Sequence, residues 1–291
     1  MKVTVLGCSG GMGALFARYF LKRGYEVAGF DKRRPKRLPN GFKFARSNAD
    51  AVSGAEYVLV AVPTDETVRA VDEVLAFMSQ GSTLVEITSV KGGGLDELHK
   101  KLSGKKLSLL SLHPLFGPLA QVNGSKICVV GSSSGMQAAR ELFPDVRLIR
   151  MMRADHDKMM AFALSLVHLT NVAFVSAVAG GIGVKRFERI APPLGSAQLN
   201  LGRAVLSSSP SLLGHIQVDN PFVTEMLSSL IGELEELKET IAKKDLMGLE
   251  RKVSSLASEF SRAELDRAIQ RVYACLDETP GIGREDAPNQ T

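Results

Sequence analysis

Along the first 150 residues, short runs rich in β-branched and apolar residues alternate with longer stretches whose apolar positions recur every three or four residues. Strands are predicted at 3–6, 26–30, 57–62, 83–87, 107–112, 127–130 and 146–149, with helices over 10–23 and 66–78. The run Tyr57-Val-Leu-Val-Ala-Val62, stopped by Pro63, is apolar throughout, as expected of a strand covered on both faces. Alternation of this kind predicts βαβ units and a Rossmann-type, doubly wound parallel sheet. Beyond Arg150 the strand signals stop. Ala154-Asp155-His156-Asp157 supplies a cap and an acidic first turn for a long helix through residue 179, broken helices follow over 186–217, and two amphipathic helices occupy 222–245 and 247–275. The expected architecture is an α/β domain (1–150), an all-helical domain (151–276) and a disordered tail (277–291).

Composition sharpens this picture in three ways. Hydrophobic residues at 45% and charged residues at 23% are ordinary for a globular chain, which excludes wholesale disorder. The net charge of +5 is concentrated in Lys32-Arg33-Arg34-Pro35-Lys36-Arg37, so the surplus is local and no nucleic-acid partner is expected. Cys8, Cys128 and Cys275 are few, scattered and without C-x-x-C spacing, which argues against a disulfide framework and a zinc site and for a reduced, cytoplasmic setting. The most apolar stretch, 161–183, contains His168, Thr170, Asn171 and Ser176 and is expected as a buried core helix rather than a membrane span.

The first strand runs into Gly7-Cys8-Ser9-Gly10-Gly11-Met12-Gly13 and then a helix. The glycines fall as G-x-x-G-x-x-G rather than G-x-G-x-x-G. Their placement between strand and helix still suits a dinucleotide, whose pyrophosphate would meet free amides at a helix N-terminus. Val62 and Pro63, at another strand end, complete the candidate cofactor set. Asp31 ends the second strand, where an acid can hydrogen-bond the adenosine ribose hydroxyls and select NAD; the adjoining Lys32, Arg33 and Arg34 keep NADP open. Two further motifs sit at the carboxyl ends of strands, where such sheets bind their ligands: Thr88-Ser89-Val90-Lys91 and His113-Pro114-Leu115-Phe116-Gly117-Pro118. Neutral imidazole at His113 can accept a proton from a hydroxyl near neutral pH.

Together and in this order, the glycine loop, Val60-Ala-Val-Pro63, Thr88-Ser-Val-Lys91, His113-Pro-Leu-Phe-Gly-Pro118 and Asp155-His-Asp157 resemble the prephenate dehydrogenase family of tyrosine biosynthesis. The resemblance covers residues 1 to about 225. It implies NAD(P)-dependent oxidative decarboxylation of prephenate, with His113 accepting the hydrogen bond of the 4-hydroxyl and Ser89 beside it and the cofactor. Lys91 is expected to serve cofactor or substrate charge, or to cap its loop. The two substrate carboxylates call for guanidinium groups, for which Arg203 in Gly202-Arg-Ala-Val is the first candidate and Arg189 in Arg-Ile-Ala191 the second. His168 stands where the family often has a site-facing histidine, whereas His156 is expected as part of a helix cap. The family also implies a homodimer built on the helical domains, and the apolar faces of the terminal helices exceed what one such domain needs. Arogenate dehydrogenase, another two-domain dehydrogenase of the 3-hydroxyacid type, and a non-catalytic dinucleotide sensor are the competing readings. The 3-hydroxyacid chemistry would want a helix-borne Lys with Asn four residues on, which Lys158 and Lys185 lack.

Overall fold

The computed structural model describes residues 1–131 and 133–277; of the tail expected over 277–291, Asp277 instead closes the last helix and the rest lies outside the described residues. The first half runs β1 (Lys2–Leu6), α1 (Gly11–Lys22), β2 (Glu26–Phe30), β3 (Phe42–Phe44), α2 (Asn48–Val52), β4 (Tyr57–Val60), α3 (Thr67–Asp72), β5 (Thr83–Glu86), α4 (Gly93–Leu102), β6 (Ser108–Pro114), β7 (Lys126–Val130), α5 (Ser133–Leu142) and β8 (Arg147–Met151). Its eight strands form one sheet in the order β3-β2-β1-β4-β5-β6-β7-β8. Every neighbouring pair is parallel except β6 and β7, which run antiparallel with His113 opposite Cys128. The fold class is therefore the predicted Rossmann-type one, with two strands reversed at one edge.

Both faces of the sheet are covered, which is why its strands are apolar at successive positions. Leu15, Phe16 and Phe20 of α1 pack with Leu142 and Phe143 at the end of α5 on one face. Val52, Val71 and Leu98, from α2, α3 and α4, fill the other. The strand order reverses between β1 and β4, and their carboxyl ends open a crevice there, the usual ligand position of such sheets.

The helical half comprises α6 (Arg153–Met160), a π-helical turn (Ala161–Leu166), α7 (Val167–Gly181), α8 (Val184–Ile190), α9 (Pro193–Leu206), α10 (Pro210–Val218), α11 (Val223–Ala242), α12 (Leu246–Ala257) and α13 (Arg262–Asp277). The expected helix over 247–275 is thus two helices, broken where Ser261 accepts the Glu264 amide as a cap. By compactness the chain forms two units that differ from a cut at 150. The first holds residues 1–161 together with 211–222, and the second holds 162–210 with the terminal helices. In the second unit α7 and α9 approach closely at Gly202, where any Cβ would fall 2.5 Å from Val175 Cγ2. Gln198 Nε2 donates to Asn171 Oδ1 at 2.9 Å across the same pair.

The apolar stretch 161–183 is not a buried core helix. It lies in a continuous helical span, Arg153–Gly181, that is long and apolar enough to cross a membrane, yet only 22% of its apolar window is buried. Phe162 and Val167 are about half exposed.

Candidate active site

The loop from β1 to α1 is built for close approach. Gly7 has φ +78°, a left-handed conformation that glycine adopts without strain, and a Cβ there would lie 2.5 Å from the Ala61 carbonyl oxygen. Gly13 is pressed against Gly7 so closely that a Cβ would collide with the Gly7 carbonyl. A Cβ on Gly11 would fall 2.8 Å from Pro118 Cβ, which joins the glycine loop to the far end of the His113–Pro118 motif. Gly10 caps α1 with no side-chain hydrogen bond, so the first-turn amides, including those of Gly11 and Met12, remain open to an anion.

Gly7, Ser9, Gly10, Asp31, Val62 and Pro63 all line a cavity of about 500 Å³ at the crevice. Asp31 accepts the Ser9 amide at 3.1 Å on one carboxylate oxygen and the Arg33 amide at 3.0 Å on the other. Each oxygen keeps lone-pair capacity for a hydroxyl. The basic run next to it is partly occupied: Lys32 pairs with Glu66 at 3.1 Å, and the Arg34 guanidinium lies over the Phe44 ring at 5.4 Å. A glycine turn without side chains, an uncapped helix N-terminus and an acid at the ribose position fit a dinucleotide. Cys8 sits in this loop as packing, its thiol pushed up to about 11 by burial and by the Asp31 carboxylate.

The second cluster lies at the carboxyl ends of β5 and β6. Glu86, the last residue of β5, is buried and accepts from Lys91 Nζ at 2.5 Å, from the Thr88 amide at 2.8 Å, from Thr88 Oγ1 at 2.6 Å and from Ser111 Oγ. Lys91 Nζ also donates to the Leu112 carbonyl at 2.7 Å. Its side chain is wholly enclosed, and desolvation draws its pKa below the usual lysine range. Lys91, expected to serve cofactor or substrate charge or to cap its loop, holds its ammonium against Glu86 in this structure and ties β5 to β6. Ser89, on the loop between them, is half-buried.

His113, on β6, is 3% exposed, and its Nδ1 lies 3.1 Å from His156 Nε2. His156 Nδ1 in turn lies 2.7 Å from Asp157 Oδ1. The Asp157 carboxylate also accepts the Lys91 amide, at 2.9 and 3.2 Å, and its backbone carbonyl accepts from Asn220 Nδ2 at 2.8 Å. His156 is fully buried, so it is not a helix cap as its place near the start of α6 suggests. Burial first, then the charge of Lys91 and the coupling to the neighbouring His156 ring, hold the His113 pKa well below the usual histidine value. His113 is thus a neutral imidazole at physiological pH, able to accept.

Three of the predicted side chains belong to the second unit. His168, on α7, has its pKa lowered by burial. Arg189, at the end of α8, is exposed. Arg203, on α9, pairs with Glu188 and reaches Asn200 Oδ1 at 3.5 Å. Glu86, Asp157 and Asn220 are given no role at the site by the sequence reading, which places Asp157 in the acidic first turn of a helix. An acid closing the otherwise apolar strand Thr83–Glu86 was the one signal for a buried pair.

Residues 2–147 match the family model described as the NAD binding domain of 6-phosphogluconate dehydrogenase, and residues 153–255 match the prephenate dehydrogenase dimerization domain. The chain belongs to the prephenate dehydrogenase family. Among named relatives, "Probable arogenate/prephenate dehydrogenase" of Methanocaldococcus jannaschii is 24% identical over 89% of this chain, which spans only 61% of that protein's length. The 4-amino-4-deoxyprephenate dehydrogenase of Streptomyces pristinaespiralis is 25% identical over 94% of this chain and 97% of its own. The fold is shared with prephenate dehydrogenase from A. aeolicus in complex with hydroxyphenyl propionate and NAD+, at TM-score 0.73 and 16% identity over 91% of this chain and 98% of that one. Synechocystis arogenate dehydrogenase aligns at TM-score 0.69 and 17% identity, over 89% of this chain and 98% of that one. Residues 2–147 are accordingly an NAD-binding domain, and Gly7, Ser9, Gly10, Asp31, Val62 and Pro63 are the residues that would hold the cofactor.

Proposed function

We propose that this protein is a prephenate dehydrogenase that converts prephenate to 4-hydroxyphenylpyruvate and CO₂ in tyrosine biosynthesis. NAD⁺ held at the glycine loop would supply the hydride acceptor, and Asp31, at the ribose position, would favour it over NADP⁺. His113 accepts the proton of the ring 4-hydroxyl as the hydride departs from the same carbon, and the C–CO₂ bond pair then closes the aromatic ring. His113 afterwards returns its proton to the phenolate oxygen. Ser89 is assigned to orient this histidine. The single observation that carries the reading is His113 itself, a buried neutral imidazole at a strand end of an NAD-binding sheet, its Nδ1 engaged by His156.

A dicarboxylate substrate also needs cations. Arg203 and Arg189 are the candidates, with His168 as a further polar contact, and replacement of each arginine by Met separates them by the rise in KM. Residues 153–255, matched to a dimerization domain, are proposed to join two copies, consistent with the exposed apolar side chains of α7 and α11. The free thiols suit a cytoplasmic setting.

The relative that aligns over nearly its whole length with this chain carries a name for the 4-amino analogue, which supports one second reading: oxidation of a ring amine instead of a ring hydroxyl. Purified protein is therefore offered prephenate, arogenate and 4-amino-4-deoxyprephenate, each with NAD⁺ and NADP⁺, and reduced-nicotinamide absorbance is followed. Turnover of prephenate with NAD⁺ is expected, and silence with all three substrates overturns the assignment. His113→Asn is expected to keep cofactor affinity and lose on the order of 10²–10⁴ in kcat.

A further inference from the structure

Behind His113 a chain of close contacts runs through His156 to Asp157. Asp157 receives the Lys91 amide on both carboxylate oxygens, so it acts as an acceptor toward its neighbours. The His156 nitrogen beside Asp157 Oδ1, Nδ1 at 2.7 Å, is then the one that carries hydrogen. A neutral His156 therefore presents a lone pair on Nε2, and that atom lies 3.1 Å from His113 Nδ1. Paired with that lone pair, the His113 hydrogen would sit on Nδ1 and leave the lone pair on Nε2. Neutral histidine in water prefers the opposite tautomer, with hydrogen on Nε2, so the buried chain selects the less common form. Asn220 and Lys91 fix Asp157 from two other segments, and both are buried.

We propose that His156, with Asp157 behind it, is a positioning residue that holds His113 with its Nε2 lone pair available and stores the proton taken from the substrate. The proposal rests on the hydroxyl-oxidising reading above. As the substrate O–H bond breaks, an Nε2–H bond forms on His113, and the Nδ1 proton of His113 passes to His156 Nε2. The positive charge then rests on His156 against the Asp157 carboxylate. The hydride leaves with the C–H electron pair, and the O–H pair becomes the carbonyl. When decarboxylation turns that carbonyl into a phenolate, the two proton shifts reverse. No net proton is released, and no further reactant is needed.

Histidine tautomers are read directly from two-bond ¹H–¹⁵N correlations of the ¹⁵N-labelled protein without substrate, with His113 assigned by its loss in His113→Asn. Hydrogen on Nδ1 of His113 is expected, and hydrogen on Nε2 overturns the proposal whether or not the His156 variants fold. In His156→Leu the His113 signal should shift to the Nε2–H form; an unchanged tautomer overturns the positioning role. His156→Gln can accept from His113 and donate to Asp157 but cannot take a proton. It should restore the Nδ1–H tautomer while kcat stays at least about tenfold below the native enzyme, with KM within about threefold. Native kcat in His156→Gln removes the storage role. Because the tautomer is measured without turnover, failure of the substrate assignment leaves this result standing.

Discussion

Lys91 Nζ lies 2.5 Å from Glu86 Oε1, and the two side chains are 0% and 1% exposed. Removing one member of such a pair leaves the other charge buried without compensation, at a cost of about 3–5 kcal/mol. Lys91→Met is expected to lower the thermal midpoint by roughly 10 °C, at about 2–4 °C per kcal/mol. Glu86→Gln combined with Lys91→Met should recover part of the loss, because no unpaired carboxylate remains. Calorimetry of the single and double variants checks this, and a native midpoint for Lys91→Met would show that the pair carries no stability.

His113 binds fewer protons in the folded chain than in the unfolded one, because its folded pKa is depressed. Its contribution to stability is then fully present above the unfolded histidine value of about 6.5 and declines as pH falls below it. For activity, the imidazole remains an acceptor through mildly acidic pH. The acid limb of kcat/KM should therefore lie well below pH 6.5, measured as a pH–rate profile with prephenate and NAD⁺. A limb centred at the ordinary histidine pKa would mean that His113 is solvated when it works.

Gly13 has no room for a methyl group beside the Gly7 carbonyl. Gly13→Ala is expected to push α1 away from the loop and weaken NAD⁺ binding at least about tenfold, measured by calorimetric titration. Gly24→Ala, where a Cβ would meet nothing within 4 Å, tests the strain of φ +75° alone and should leave NAD⁺ affinity unchanged.

Asp31 holds the Ser9 and Arg33 amides in addition to its proposed ribose contacts. Asp31→Ala should therefore raise KM for NAD⁺ by about tenfold or more and shift the NADP⁺/NAD⁺ ratio of kcat/KM toward NADP⁺. A shift absent in Asp31→Ala but present on removing Arg33 would assign the choice of cofactor to the basic run instead.

Ile231, Leu234 and Ile241 on α11 are between 50% and 64% exposed in a single chain. Light scattering is expected to give twice the 31.3 kDa chain mass, and Leu234→Glu with Ile241→Glu should move it toward one chain. A monomeric native protein would remove the proposed interface.

Much of the Rossmann-type half was legible because parallel strands buried on both faces write themselves as continuous apolar runs, as at Tyr57–Val60. What was missed is explained by the same physics. Phe42–Phe44 is three residues long, too short for any period to register. The direction of β7 leaves no trace in its own residues, since 127–130 is apolar whichever way it runs. The long apolar helix invited a core reading because apolarity reports burial somewhere, without saying in which chain. At the site, His113 was found by its place at a strand end. His156 was not, because its partner is 43 positions away and its local setting reads as a cap. For Lys91 a strand-end position suits a ligand charge or a loop cap equally; only the distance to Glu86 shows where its charge goes.

The first compact unit is not one stretch of chain: it ends at Ala161 and takes up residues Ser211–Phe222 again. A gene cut at codon 150 would leave the glycine loop, Asp31 and His113, yet discard His156, Asp157 and Asn220. Such a fragment could still dock a nucleotide while its base lost the partners that orient it. A single crossover at codon 150 therefore transplants the nucleotide site of this protein but not its proton chemistry, and any chimaera that is to keep both must carry the helical segment 153–161 and the return of the chain at 211–222 together.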